Sequence, residues 1–194
     1  AQKYSSCLVT GPLNKSIVQK YIPGFAGHTE FLKQQFNAKE VLMFMTNGSI
    51  HLGITTTHIP LKEVAKSISK DLIKNKYKLL HYGLMDILKL ANPKIAVLGI
   101  NPHAGEYGII GDEEKKIIMP AIDELRHEGY DANGPVSADT VFTQTKYDAV
   151  LSMYHDQALP VLKTIDFHKT VNITLGLPFL RISVDHGTAE DLSL

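Results

Sequence analysis

The sequence predicts an α/β fold: three layers, α/β/α, around a mixed, mostly parallel sheet. Three observations carry this reading. Apolar runs of strand length alternate with segments whose apolar residues recur at helical spacing. Asn47-Gly48 separates two strand-like runs, a strong hairpin signal that puts at least one antiparallel pair in the sheet. Finally, 44% of the 194 residues are apolar, enough for one sizeable core or for one domain and part of another.

Taken in order, residues 5–10 read as a buried strand that ends in Gly11-Pro12. Residues 14–21 suit a short helix, and 29–36 carry apolar side chains at helical spacing. Residues 41–46 form a second buried strand, and 49–55 are its return strand across the Asn47-Gly48 turn. Apolar residues at 61, 64, 65, 68, 72 and 73 predict an amphipathic helix that begins after Pro60, and 77–90 give another. Residues 94–100 are a buried strand opening into a loop at 101–112. A helix follows over 113–128, stopped by Gly129 and kinked or broken at Pro120. Residues 147–153 form a strand that runs straight into Tyr154-His155-Asp156-Gln157, and the last strands are 171–175 and 180–184.

Lys and Arg number 20, as do Asp and Glu, and no block of like charge stands out. Nucleic acid and anionic membrane are therefore not expected partners, because both select basic surfaces. No apolar run approaches the roughly 20 residues of a membrane helix. Cys7 is the only cysteine, so no internal disulfide forms. It reads as a buried structural thiol and fits a cytoplasmic location. The chain opens without Met directly into a strand, as a chain starting mid-protein would.

Of nine histidines, three stand in special settings. His28, in Gly27-His28-Thr29-Glu30, precedes a helix. His103, in Asn101-Pro102-His103-Ala104-Gly105-Glu106, and His155 each follow a strand. Ligands in open α/β sheets bind at the carboxyl ends of strands, and imidazoles suit Zn²⁺ or a neighbouring transition metal. The three are far apart in sequence, so spacing alone leaves ordinary hydrogen-bonded loop histidines as an open alternative. His51, His58, His81, His127 and His168 read as surface or satisfied polar positions. Arg181 interrupts the otherwise apolar Phe179-Leu180-Arg181-Ile182, and a charge set in a buried strand needs a partner. No G-x-G-x-x-G occurs, so a Rossmann dinucleotide site is unsupported.

Several motifs occur in one order: Thr10-Gly11-Pro12-Leu13-Asn14-Lys15, Gly27-His28-Thr29-Glu30-Phe31, the His103 segment, Gly134-Pro135 with Ala138-Asp139-Thr140, and Tyr154-His155-Asp156-Gln157. Then come the segment from Val171 to Phe179, Arg181, and Asp185-His186-Gly187-Thr188-Ala189. Together they resemble the 4-hydroxythreonine-4-phosphate dehydrogenase family over essentially the whole chain. The resemblance implies an isocitrate/isopropylmalate dehydrogenase-like fold, with residues 1–194 forming part of a two-domain enzyme whose front portion and tail are not included. It implies a divalent metal (Zn, Mg or Co) on His28, His103 and His155, in a site shared across a homodimer. It also implies substrate contacts from Lys163, Asn172 and Arg181. Asp156 is a candidate partner of a ligand imidazole or a base, and Lys15 and Asp139 are further candidates, each equally readable as a structural salt bridge. Asp185, His186, Gly187 and Thr188 resemble the stretch with which related β-decarboxylating dehydrogenases hold NAD or NADP. The implied reaction is NAD(P)-linked oxidation and decarboxylation of 4-phosphohydroxy-L-threonine to 3-amino-2-oxopropyl phosphate, in pyridoxal 5'-phosphate biosynthesis. Alternatives are a paralogue acting on threonate or erythronate 4-phosphate, a metal-dependent hydrolase, and a non-catalytic fragment.

Overall fold

The computed structural model describes residues 7–25, 27–144 and 146–184. Among them, eight strands form one sheet: β1 (Cys7–Thr10), β2 (Leu42–Thr46), β3 (His51–Thr56), β4 (Ile95–Leu98), β5 (Ala132–Val136), β6 (Ala149–Tyr154), β7 (Val171–Leu175) and β8 (Leu180–Val184). Their spatial order is β1-β8-β7-β2-β3-β6-β4-β5. The pairs β1–β8, β3–β6, β4–β6 and β4–β5 are parallel. The pairs β2–β3, β2–β7 and β7–β8 are antiparallel, which gives the mixed, mostly parallel sheet the sequence predicts. Asn47 builds the expected hairpin, its Oδ1 accepting from the backbone N–H groups of Ser49 and Ile50.

The helices are α1 (Lys15–Gln19), α2 (His28–Gln35), α3 (Leu61–Ser67), α4 (Lys70–Leu88), α5 (Met119–His127) and α6 (His155–Ile165). Strand alternation sends side chains to two cores, one on each face of the sheet. Ile95 and Val97 of β4 and Leu151 and Met153 of β6 join Ile73, Tyr77, Leu80 and Leu84 of α4 and Ala121, Ile122 and Leu125 of α5. Ala96, Leu98 and Val150 point the other way and meet Ala158, Leu159 and Leu162 of α6. Each fully buried aliphatic side chain contributes about 1.5–3 kcal/mol, so both cores favour this order of layers.

Several features differ from the sequence reading. The helix expected over 61–73 breaks at Ile68, which turns extended (ψ 136°) and buries itself outside the helix. Ser69 then caps α4 by accepting from Leu72 N, and one helix covers 70–88 where the periodicity suggested a new start near 77. β5 escapes periodicity because it contains Gly134-Pro135; it lies at the sheet edge, where proline is tolerated. α6 continues directly from β6 with Pro160 inside it, so no turn signal announces it. Cys7, expected to be buried, is half-buried, because β1 is an edge strand whose neighbour Val9 is 71% exposed. The helix expected over 113–128 does not break at Pro120: Glu113, Ile118 and Met119 all keep right-handed helical angles, and a π turn over Glu114–Ile118 passes directly into α5, whose second residue is Pro120. No helix among the described residues is long and apolar enough to cross a membrane.

Candidate active site

Because β3, β6 and β4 are parallel neighbours, their carboxyl ends lie on one rim. Each delivers a histidine. His58 follows β3, His155 follows β6 as the first residue of α6, and His103 follows β4 in the loop. The rings of His58 and His155 lie 5.8 Å apart, centroid to centroid. They line a cleft of about 270 Å³ with Asp156, Tyr154, Ile59 and Val64. His58 stands at the rim. The atoms packed around it, and then the neighbouring His155, hold its pKa below the ordinary value. The Asp156 carboxylate lies 2.5 Å from His155 Nδ1. A carboxylate there accepts, so Nδ1 is the donating nitrogen and Nε2 is the one left outside this bond. Gln157 ties the start of α6 to the end of β4, donating to Gly99 O (2.6 Å) and accepting from Met153 N (2.7 Å).

The antiparallel half of the sheet contributes a polar floor. Ile173 and Leu175 face the α4 core, so the alternate residues Asn172 and Thr174 face the opposite side. Arg181 stands across from Thr174 in β8 and is 5% exposed. Its Nη1 donates to Thr174 Oγ1 (3.2 Å) and its Nη2 to Thr10 Oγ1 (2.8 Å). These partners are neutral. Nε of Arg181 and Oδ1 of Asn172 are buried without a partner among the described residues. The demand that a buried charge be paired is thus only partly met, by hydroxyls, with Glu30 in electrostatic reach. At the start of α2, Gly27 lets two side chains close in. A Cβ there would lie 2.9 Å from Glu30 Oε2 and 3.8 Å from Lys15 Nζ.

The expected metal ligands do not gather in one chain. No group of three or more His, Cys, Asp or Glu side chains among the described residues is placed to hold a metal ion. His28 packs edge-to-face on Phe25, and its pKa is lowered first by burial and then by Arg181. A guanidinium in that position repels a metal cation. His103 is turned outward, its side chain 65% exposed, with Nδ1 3.7 Å from Asp139 Oδ2. The Ser137 hydroxyl donates to Asp139, and this bond, then the charge of His103, lowers the Asp139 pKa. Lys163, in the last turn of α6, lies over the Phe167 ring at 5.7 Å. Asp185, His186, Gly187 and Thr188 lie outside the described residues. Sequence reasoning passed over His58, although the rule that selected His155 selects it too: it stands just past the end of a strand.

Fold and rim together define an α/β protein with a candidate ligand site at the carboxyl edge of its sheet. Comparison with known proteins narrows this. The chain matches the family described as pyridoxal phosphate biosynthetic protein PdxA over residues 1–194, and it belongs to that family. It is 50% identical to 4-hydroxythreonine-4-phosphate dehydrogenase of Shewanella frigidimarina, covering 96% of this chain and 58% of that one. Against the protein of the same name from Pseudomonas syringae pv. tomato the identity is 47%, covering 97% and 58%. The structure superposes on 4-hydroxythreonine-4-phosphate dehydrogenase from Klebsiella pneumoniae with a TM-score of 0.88 at 38% identity, covering 96% of this chain and 57% of that one. The chain therefore spans a little over half the length of the relatives it matches.

Proposed function

We propose that this chain carries most of the catalytic centre of a metal- and NAD(P)-dependent dehydrogenase, oxidising and decarboxylating 4-phosphohydroxy-L-threonine to 3-amino-2-oxopropyl phosphate. The observation that carries this reading is the His58–His155 pair at the ends of two adjacent parallel strands, beside a polar floor with an incompletely paired Arg181. The relatives' shared name supplies the substrate.

The donor set fits a divalent metal. His58 is biased toward the neutral form that ligates, and Asp156 leaves His155 Nε2 available. His58 thus replaces His28 in the ligand set. A third ligand comes from His103 of a second copy. The loop bearing His103 and the start of α5 present an apolar rim suited to that contact, with Tyr107 102%, Ile109 79% and Met119 45% exposed. When bound, a metal held by these histidines would supply Lewis acidity to the substrate hydroxyl, and NAD(P) would supply the hydride acceptor that the oxidation needs. Arg181 offers a planar fork to one anionic end of the substrate, with Lys15 and Lys163 as point charges for the other. Asn172 Oδ1 accepts from a substrate hydroxyl or ammonium. His28, kept neutral beside Arg181, donates a hydrogen bond to the same anion.

Purified protein with Co²⁺ or Zn²⁺, NAD or NADP and 4-phosphohydroxy-L-threonine should generate absorbance of the reduced nicotinamide, and faster than with threonate or erythronate 4-phosphate. His58→Ala and His103→Ala should each be inactive. Co-refolding the two should restore activity, because a mixed dimer contains one intact shared site. Recovery no better than either variant alone would reject the shared site, and product without reduced cofactor would point to a hydrolase.

A further inference from the structure

The loop that carries His103 has an unusual backbone. Residues 103 to 107 all have positive φ: 52°, 51°, 79°, 43° and 59°. Only Gly105 among them is at ease there; His103, Ala104, Glu106 and Tyr107 each bring Cβ close to a carbonyl oxygen. Such a run persists only when its surroundings over-determine it.

The clamp is Glu114. It sits at the start of the π turn and is 4% exposed. Its Oε1 accepts from Ile100 N and Asn101 N, both at 2.7 Å, and its Oε2 accepts from Asn101 Nδ2 at 2.9 Å. Glu113 accepts from the same amide at 2.8 Å. No cation pairs with Glu114 among the described residues, so loop N–H groups carry its solvation. Two glycines make the approach possible. A Cβ on Gly105 would lie 2.6 Å from Glu114 Oε2, and one on Gly99 would lie 3.0 Å from Oε1 and 2.6 Å from Ala104 Cα. The carboxylate thus holds both the entrance to the turn, at residues 100 and 101, and its middle, at Gly105. His103 lies between those anchors.

We infer that Glu114 is a positioning residue for His103: its buried carboxylate folds the left-handed turn and so sets where the imidazole projects toward the partner's His58–His155 pair. This rests on the reading of His103 as a shared metal ligand. Glu114 does not touch the metal. It acts by fixing the backbone from which the ligand leaves, as partners behind metal ligands do.

The test uses the dimeric protein loaded with Co²⁺, whose visible absorption reports coordination geometry. Glu114→Gln keeps the shape but opposes its own NH₂ to that of Asn101. We expect Co²⁺ affinity to fall roughly tenfold to hundredfold and the visible bands to shift, with circular dichroism unchanged. Asn101→Ala, which removes the bonds at 2.9 and 2.8 Å from the other side, should act in the same direction and serves if Glu114→Gln does not fold. A spectrum and affinity equal to the parent's in either folded variant, with only the melting temperature lowered, would overturn the inference. His103→Ala separates the two ideas. If it leaves affinity and spectrum unaltered, the ligand assignment itself has failed; if it abolishes both while Glu114→Gln and Asn101→Ala do nothing, only the role of Glu114 has.

Discussion

Arg181 shows how one residue joins fold and chemistry. It occupies the middle of β8, where its neighbours Leu180 and Ile182 pack on the α4 core, and the pleat turns it to the other face. There the guanidinium meets two threonine hydroxyls and, among the described residues, no carboxylate within hydrogen-bonding distance. Hydroxyls orient the fork without neutralising it, so the charge remains available to an incoming anion. Arg181→Lys keeps the charge and loses the fork. We expect kcat/KM toward the phosphorylated substrate to fall roughly tenfold to hundredfold, about 1.5–3 kcal/mol, the range of a hydrogen bond to a charged group. Steady-state kinetics with a parallel melting curve is the measurement. Unaltered kinetics would show that no bidentate anion contact exists, while a lower melting temperature with normal kinetics in the folded fraction would assign Arg181 to structure. The sequence already marked this residue, because a charge inside an apolar run is conspicuous. It did not show the hydroxyl partners, since Thr10 lies on a strand that pairs with β8 only after the whole sheet has formed.

At the scale of elements, the turns set where the strands end. Gly176 joins β7 to β8 with φ of 94°, and a Cβ there would press on the carbonyl oxygen of Glu40. Gly48, in the hairpin between β2 and β3, has φ of 89° with nothing within 4 Å. The two separate backbone strain from steric conflict. Gly48→Ala should cost about 1–3 kcal/mol from the positive φ alone. Gly176→Ala should exceed it by roughly 1 kcal/mol or more, the cost of forcing atoms into packed space. In a chain of this size each kcal/mol lowers the melting temperature by roughly 2–4 °C. Thermal unfolding of both variants, with Gly11→Ala as an unstrained control, should rank them Gly176, Gly48, Gly11. Equal losses at 176 and 48 would mean that Glu40 yields freely. The Asn47-Gly48 turn was legible because Asn-Gly is a local code. The break between α3 and α4 was not, because the buried position of Ile68 mimics helical periodicity while its backbone is extended.

Across the whole molecule, His28, His51, His58 and His81 all have pKa values below 6.5 in the folded state, each chiefly because burial disfavours the charged ring. The unfolded chain then binds more protons than the folded one just below pH 6.5, so stability falls as pH drops through this window and is fully present above it. The lowered carboxylates, among them Glu40 and Glu124, act below about pH 4.5 and leave the window to histidine. We expect the urea midpoint of the metal-free protein to fall from pH 7.5 to pH 5.5. His81 is 7% exposed and packs among Tyr77, Tyr82 and Tyr130, its Nδ1 without a partner among the described residues. His81→Phe should flatten the fall. A midpoint independent of pH, or one that rises on acidification, contradicts the assignment.

Sequence alone determined the fold class, most of the strands, the hairpin and two of the three histidines at strand ends. These follow from periodicity and turn chemistry, both of which act over a few residues. Tertiary structure decided the rest. Which histidines become neighbours depends on strand order, and β3 lies beside β6 although β4 and β5 come between them in the chain. That order placed His58 against His155, moved His28 beside Arg181, and left His103 facing outward on a left-handed turn. No local pattern encodes such neighbours, because they arise where distant segments bury their apolar faces in a common sheet.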